Sequence, residues 1–394
     1  MSLALGAAWA IAAALSPPGV DSVPEASLRP GRRTFVFLGL LVGVLALGHL
    51  ASGRFLSWYA RVGFAEAVMA KGEDSERSAL LMRLAETIDD RLIDYAGLMR
   101  RSMGSTSPEV SRAAVQALGR VGERMVKSVA LMDRGEAGAA WPRTLLASLR
   151  AHTEPELLRL AVSGPLREEA VSALAGLQAD EAFPLVVASL REAQDEPAFL
   201  RALIDLVRCA EPVAGLQALS RFGGAAVPGG DPDGRAENSG APPARGSAWH
   251  RARVLWAAGR LVASAEEARV ETDVGPLHPL VDGLETWGAD DACIAMEALV
   301  VLRLGAARDA LLALAGGPDE RCAELHAAGP SGARWLLASG RRRVLVALEA
   351  LAGIASGDQR IADALAALAA RPGVASDVAA TARRVSELSV PGAR

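Results

Sequence analysis

Apolar residues recur every three or four positions over most of the chain. The clearest run is Ser107–Gly122, where Val110, Ala113, Ala114, Ala117, Leu118 and Val121 fall on one stripe of a helix. Ser107, Pro108 and Glu109 suit a capped helix start, and Gly119 and Gly122 mark its expected end. The spacing returns in degraded form at Leu166, Ala170, Ala173, Leu174 and Leu177, then at Leu200, Leu203, Leu206 and Val207. It returns again at Ile294, Ala295, Ala298, Leu299 and Leu302, then at Val344, Ala347, Leu348, Leu351 and Ile354. Ile361, Ala364, Leu365 and Leu368 fit the partner helix of that last unit. Ala-Leu pairs beginning at Ala117, Ala173, Ala202, Ala298 and Ala350 lie near whole multiples of about 30 residues apart, within the range of helical-pair repeats. One helix pair cannot bury its stripe alone, whereas stacked neighbours make a continuous core. The pattern predicts an all-α solenoid with a concave, ligand-accessible face. Its core positions are Val110, Ala114, Ala117, Leu118, Val121, Leu174, Leu203, Leu299, Leu348 and Leu351.

The N-terminal pattern is different. No charged residue lies between Arg33 and Arg54, and Phe35–Leu50 is almost wholly apolar. A helix needs roughly 20 such residues to cross a bilayer, so the segment 34–53 is predicted to span one. Arg32 and Arg33 on one side, and Trp58 and Tyr59 on the other, fit the two membrane interfaces. The arginine bias places the preceding flank in the cytoplasm and the body outside it, which in a Gram-negative cell is the periplasm beyond the inner membrane. Gly39, Gly43 and Ala46 make a small-residue face through which two copies can pair as a homodimer. Residues 1–33 comprise an apolar stretch, Ser2–Leu15, and a basic linker. The stretch reads as a signal-like segment without a basic start, a second span, or an upstream extension.

Residues 54–106 follow as a helical stalk. Leu80, Leu81, Leu84, Ile88, Leu92 and Ile93 form its apolar face, and Ser75 is a candidate cap after a break at Lys71–Asp74. The repeats occupy 107–222 and 248–390. Between them, 223–247 is rich in glycine and proline and is expected to be a disordered loop. Gly316–Gly332 is a second loop-like stretch.

Composition narrows the class. Hydrophobic residues make up 51% of the chain but aromatics only 4%, so the core must come from alanine, leucine and valine, which favour closely packed helices. Strand-like alternation is scarce. The net charge is −4 and lysine occurs only at Lys71 and Lys127, so no basic face for nucleic acid is expected. Cys209, Cys293 and Cys322 are too few and scattered for a disulfide framework or zinc site, and Cys209 and Cys293 read as small buried hydrophobes. The five histidines are widely separated. Asp231, Asp233 and Gly234 faintly resemble a calcium loop, but Arg235 replaces the third oxygen ligand. No nucleophile elbow, zinc-protease motif, C-x-x-C or phosphate loop occurs. No catalytic residue, metal or cofactor is therefore assigned.

Val110, Arg112, Ala113, Ala114, Ala117, Leu118, Gly119, Val121 and Gly122 together resemble the HEAT repeat, in the form also seen in phycobilisome lyase-type repeats. Those repeats place an apolar residue, an arginine and an alanine pair before Ala-Leu-Gly-x-apolar-Gly. The resemblance covers Ser107–Gly122 and implies a solenoid scaffold that holds a protein or peptide partner at the cell envelope. It also allows a lyase-like enzyme related to the phycobilin lyases, which attach tetrapyrroles to protein cysteines. A third reading is a nucleic-acid-binding HEAT-like protein, which the acidic balance disfavours.

Overall fold

The computed structural model describes residues 63–87, 90–135, 140–223, 247–329, 334–355 and 357–390. The predicted span 34–53, the segment 1–33, and with them Arg32, Arg33, Gly39, Gly43, Ala46, Trp58 and Tyr59 lie outside these residues, as does the interior of the 223–247 stretch. Among the described residues, no helix is long and apolar enough to cross a membrane.

Residues Ala65–Arg394 form one structural unit, and it is mostly helical. A helical stretch at residues 63–71 leads to α1 (Asp74–Leu84), α2 (Leu92–Met103), α3 (Pro108–Asp133), α4 (Trp141–Val162), α5 (Arg167–Leu177), α6 (Ala182–Glu192) and α7 (Glu196–Cys209). Then come α8 (Pro212–Gly223), α9 (Ala248–Ala268), α10 (Ala289–Leu302), α11 (Arg308–Ala315), α12 (Arg343–Ile354), α13 (Gln359–Ala370) and α14 (Ser376–Ser389). Local chemistry sets several of the starts. Ser107 accepts the Val110 N–H at 3.4 Å, Asp195 accepts the Ala198 N–H at 2.8 Å, and Ser247 accepts the His250 N–H at 3.3 Å. The start of α1 differs from the expected Ser75 cap. The N-cap is Glu73, whose N–H donates to the Glu76 carboxylate at 3.1 Å.

The helices pack in alternation. α3, α5, α7, α9, α10, α12 and α14 each contact the next in that series. The intervening helices cover them: α4 touches α3 and α5, α6 touches α5 and α7, α8 touches α9, α11 touches α12, and α13 touches α14. α1 and α2 pack on α3, with Leu81, Leu92 and Met99 fully buried. Val110, Ala114, Ala117, Leu118 and Val121 are buried on α3, Leu174 on α5, Leu203 on α7, Leu299 on α10, and Leu348 and Leu351 on α12.

Two further sequence expectations are overturned. Gly119 and Gly122 do not end their helix, because α3 runs on to Asp133. A Cβ on Gly119 would sit 3.0 Å from the Ala173 Cα, and one on Gly122 would sit 2.7 Å from a Leu177 methyl. The glycines therefore let α5 approach α3, at roughly 1 kcal/mol each in helix propensity.

The second correction lies in the Gly316–Gly332 stretch, part of which is strand. β1 (Glu324–Ala328) pairs antiparallel with β2 (Arg334–Ser339), Glu324 opposite Ser339 and Ala328 opposite Arg334, with a register shift at Leu325/His326. In the sequence, Gly329, Pro330 and Gly332 fall between two short apolar runs, a hairpin signal hidden by the shortness of each run. β2 packs on α10. The Trp256 indole N–H on α9 donates to the Leu336 carbonyl at 3.0 Å, and Trp335 meets Trp256 edge-on at 6.0 Å between centroids.

Candidate functional site

The site grows out of α7. Asp205 interrupts the run Leu203-Ile204-Asp205-Leu206-Val207, and the helix turns its carboxylate inward with its neighbours, leaving Asp205 3% exposed. One turn on, Arg208 is also buried. Its Nη1 donates to Asp205 Oδ1 at 2.9 Å, and its Nη2 stands 2.8 Å from Oε2 of Glu123 on α3. The Ser172 hydroxyl on α5 donates to Asp205 Oδ1 at 3.0 Å. A four-residue ionic cluster thus ties α3, α5 and α7 together.

Gly176 on α5 makes room for it. A Cβ there would lie 2.5 Å from the Gly119 carbonyl oxygen and 2.6 Å from Arg208 Nη2. Burial raises the Asp205 carboxyl to about 6, against the opposing pull of Arg208 and the hydrogen bonds from Arg208 and Ser172. Next in sequence, burial and the neighbouring Asp205 push the Cys209 thiol up to about 12, so it stays protonated and unreactive.

Above this cluster lies a cavity of about 460 Å³, walled by α3, α5 and α7 on one side and β1 on the other. Gln116, Glu169, Ser172, Leu200, Arg201 and Arg208 line the helical side. Consecutive residues His326, Ala327, Ala328 and Gly329 line the other. Most charges on the helical wall are already matched: Arg112 Nε donates to Glu169 at 2.9 Å, Arg201 pairs with Glu168, and Arg208 is held as above. Glu196, at the cavity's edge, accepts only the neutral indole N–H of Trp249, at 3.1 Å, and no ion pair neutralises it among the described residues. Trp249 and Arg253 stack, the guanidinium 4.5 Å from the ring centroid, and Phe199 packs beside His250 at 4.5 Å.

The hairpin wall is covalently fixed. Cys293 of α10 and Cys322, just before β1, form a disulfide with Cα atoms 5.7 Å apart. This overturns the reading of Cys293 as a free buried hydrophobe and of Cys322 as isolated. The two are 29 residues apart in sequence, and only the return of the chain onto α10 makes them neighbours. Below the hairpin, Ser339 donates from its N–H and its hydroxyl to Glu297 on α10, and Arg341 pairs with Glu349.

No assigned nucleophile and base face each other in this arrangement: Ser172 is spent on Asp205, and Asp205 is held by Arg208. Among the described residues, no group of three or more His, Cys, Asp or Glu side chains is placed to hold a metal ion. The buried cluster and the cavity's glutamate were not selected by sequence pattern. The one available signal was Asp205 itself, a carboxylate inside an apolar run. A comparison with protein-family models and one with curated proteins match nothing to this chain.

Proposed function

We propose that the chain is a membrane-tethered scaffold built on HEAT-like helical-pair repeats, which binds a protein partner outside the cytoplasm. The observation that carries this reading is the cavity between the helix series and the hairpin, most of whose charged groups are already paired and which holds no reacting constellation. Alternating helix contacts support the repeat architecture, since most helices of the series also pack against a neighbour in sequence. The Cys293–Cys322 disulfide supports an oxidising compartment, because such bonds persist outside the reducing cytosol. The charge-free segment 34–53 supplies the tether.

A photo-crosslinking amino acid placed at Leu200 in the full chain, in its own cells, is expected to capture a discrete partner in the membrane fraction. External protease should reach the repeats in spheroplasts but not in intact cells. Failure to capture any partner from several cavity positions, or digestion only after lysis, overturns the reading.

A further inference from the structure

We propose that the cavity takes a short extended peptide carrying a basic side chain, which adds to β1 as a third strand and places that side chain at Glu196. This rests on the scaffold reading and names the chemistry of its partner. Side chains alternate between the two faces of a strand, so a cavity beneath one face touches every second residue. Here it touches His326, Ala327, Ala328 and Gly329 in succession. It therefore meets the edge of β1, the side opposite β2, where an antiparallel strand keeps half of its backbone donors and acceptors unpaired. Among the described residues, β1 makes no backbone hydrogen bond except with β2. Strand addition uses such an edge for affinity and side-chain pockets for choice.

The residues present suit that guest. Ala327, Ala328 and Gly329 on the edge, with Gly119 and Ala173 across from them, leave room for a main chain and small side chains. The five residues of β1 offer about 17 Å of edge, enough for four or five residues of guest. Charge sets the preference. Arg112 with Glu169 and Arg201 with Glu168 cancel within the protein, while among the described residues Glu196 has only an indole partner. A lysine or arginine in the guest satisfies Glu196 and lies beside the Trp249 ring.

The test uses the full-length chain in detergent and an array of random heptapeptides with one position fixed at a time. Peptides with a fixed lysine or arginine should be retained several-fold better than those with glutamate. A fixed central proline, which lacks the N–H for strand pairing, should lower retention at least tenfold. Glu196→Gln should erase the basic preference and keep the exclusion of proline. Ala328→Pro should abolish retention, with undiminished quenching between Trp256 and Trp335 showing that the hairpin is still docked. No retention of any class, indifference to proline, or a basic preference that survives Glu196→Gln overturns the proposal. So does a dimer in sedimentation that Ala328→Pro dissociates, since a second copy would then cover the edge. A partner crosslinked in cells whose capture is unchanged in Glu196→Gln and Ala328→Pro sinks this proposal while leaving the scaffold reading intact.

Discussion

Arg208 is where single side chains matter most. It holds the carboxylates of Asp205 and Glu123 from one buried guanidinium, and its place depends on the missing side chain of Gly176. Arg208→Met fills similar volume but leaves the buried Asp205 carboxylate without its cation, while Glu123 keeps its pair with Lys127. It should destabilise the fold by about 3–5 kcal/mol in urea unfolding. Gly176→Ala should act in the same direction by displacing the guanidinium. The pH dependence follows from Asp205, which titrates near 6 in the folded chain and lower in the unfolded one. The folded state binds that proton more tightly, so the contribution is full below the unfolded value and is lost as pH rises through about 6. Between pH 5 and 7 this group should remove roughly 1 kcal/mol of stability, a slope absent from Asp205→Asn. Equal slopes in the two proteins would show that Asp205 does not titrate there.

At the scale of elements, the hairpin is the part that the chain's periodicity concealed. α3 was legible because Val110, Ala114, Ala117, Leu118 and Val121 fill a stripe and Ser107 caps it. Its end was misread because a glycine that stops a helix and a glycine that admits a neighbour look alike in sequence. Only the position of Ala173 on α5 distinguishes them. β1 and β2 are too short for alternation to show. The buried cluster was equally hidden, since Asp205 and Arg208 at i and i+3 also fit a solvated helix face. The disulfide closes a loop with a sequence separation of 29. Cys293→Ser should lower stability by about 3–4 kcal/mol by the loop-entropy relation. Hydrogen exchange should rise first in β1 and β2, and exchange confined to α10 would show that the bond does not position the hairpin. At the start of α7, Asp195→Ala should cost about 1 kcal/mol through the lost cap on Ala198, read from the shift in urea midpoint.

For the whole molecule, nearest-neighbour packing means that stability is spread along the chain rather than held in one centre. α5 and α7 have helices on every side, whereas α14 has only α12 and α13 among its main contacts. Native-state hydrogen exchange should therefore be slowest in α5 and α7 and should open α14 in a separate, cheaper step. A single exchange rate across all helices would mean one cooperative unit instead. The overall class was readable because alanine, leucine and valine at helical spacing leave few other ways to bury half the chain. The cavity was not, because its walls come from segments more than a hundred residues apart.

The disulfide also orders events in time. Cys209 leaves the ribosome before either of its fellow cysteines, and three thiols can pair in three ways. Only one pairing is native, and it involves the two cysteines synthesised last. Cys209, half-buried at the last position of α7, therefore has to be packed against its neighbours while Cys322 is still to come. The packing of α3, α5 and α7 thus guards the oxidation of a hairpin made later. The guard works best when the chain folds in the direction of its synthesis. Refolding the complete reduced chain removes that head start, so mispaired Cys209 should accumulate, and Cys209→Ser should restore the yield.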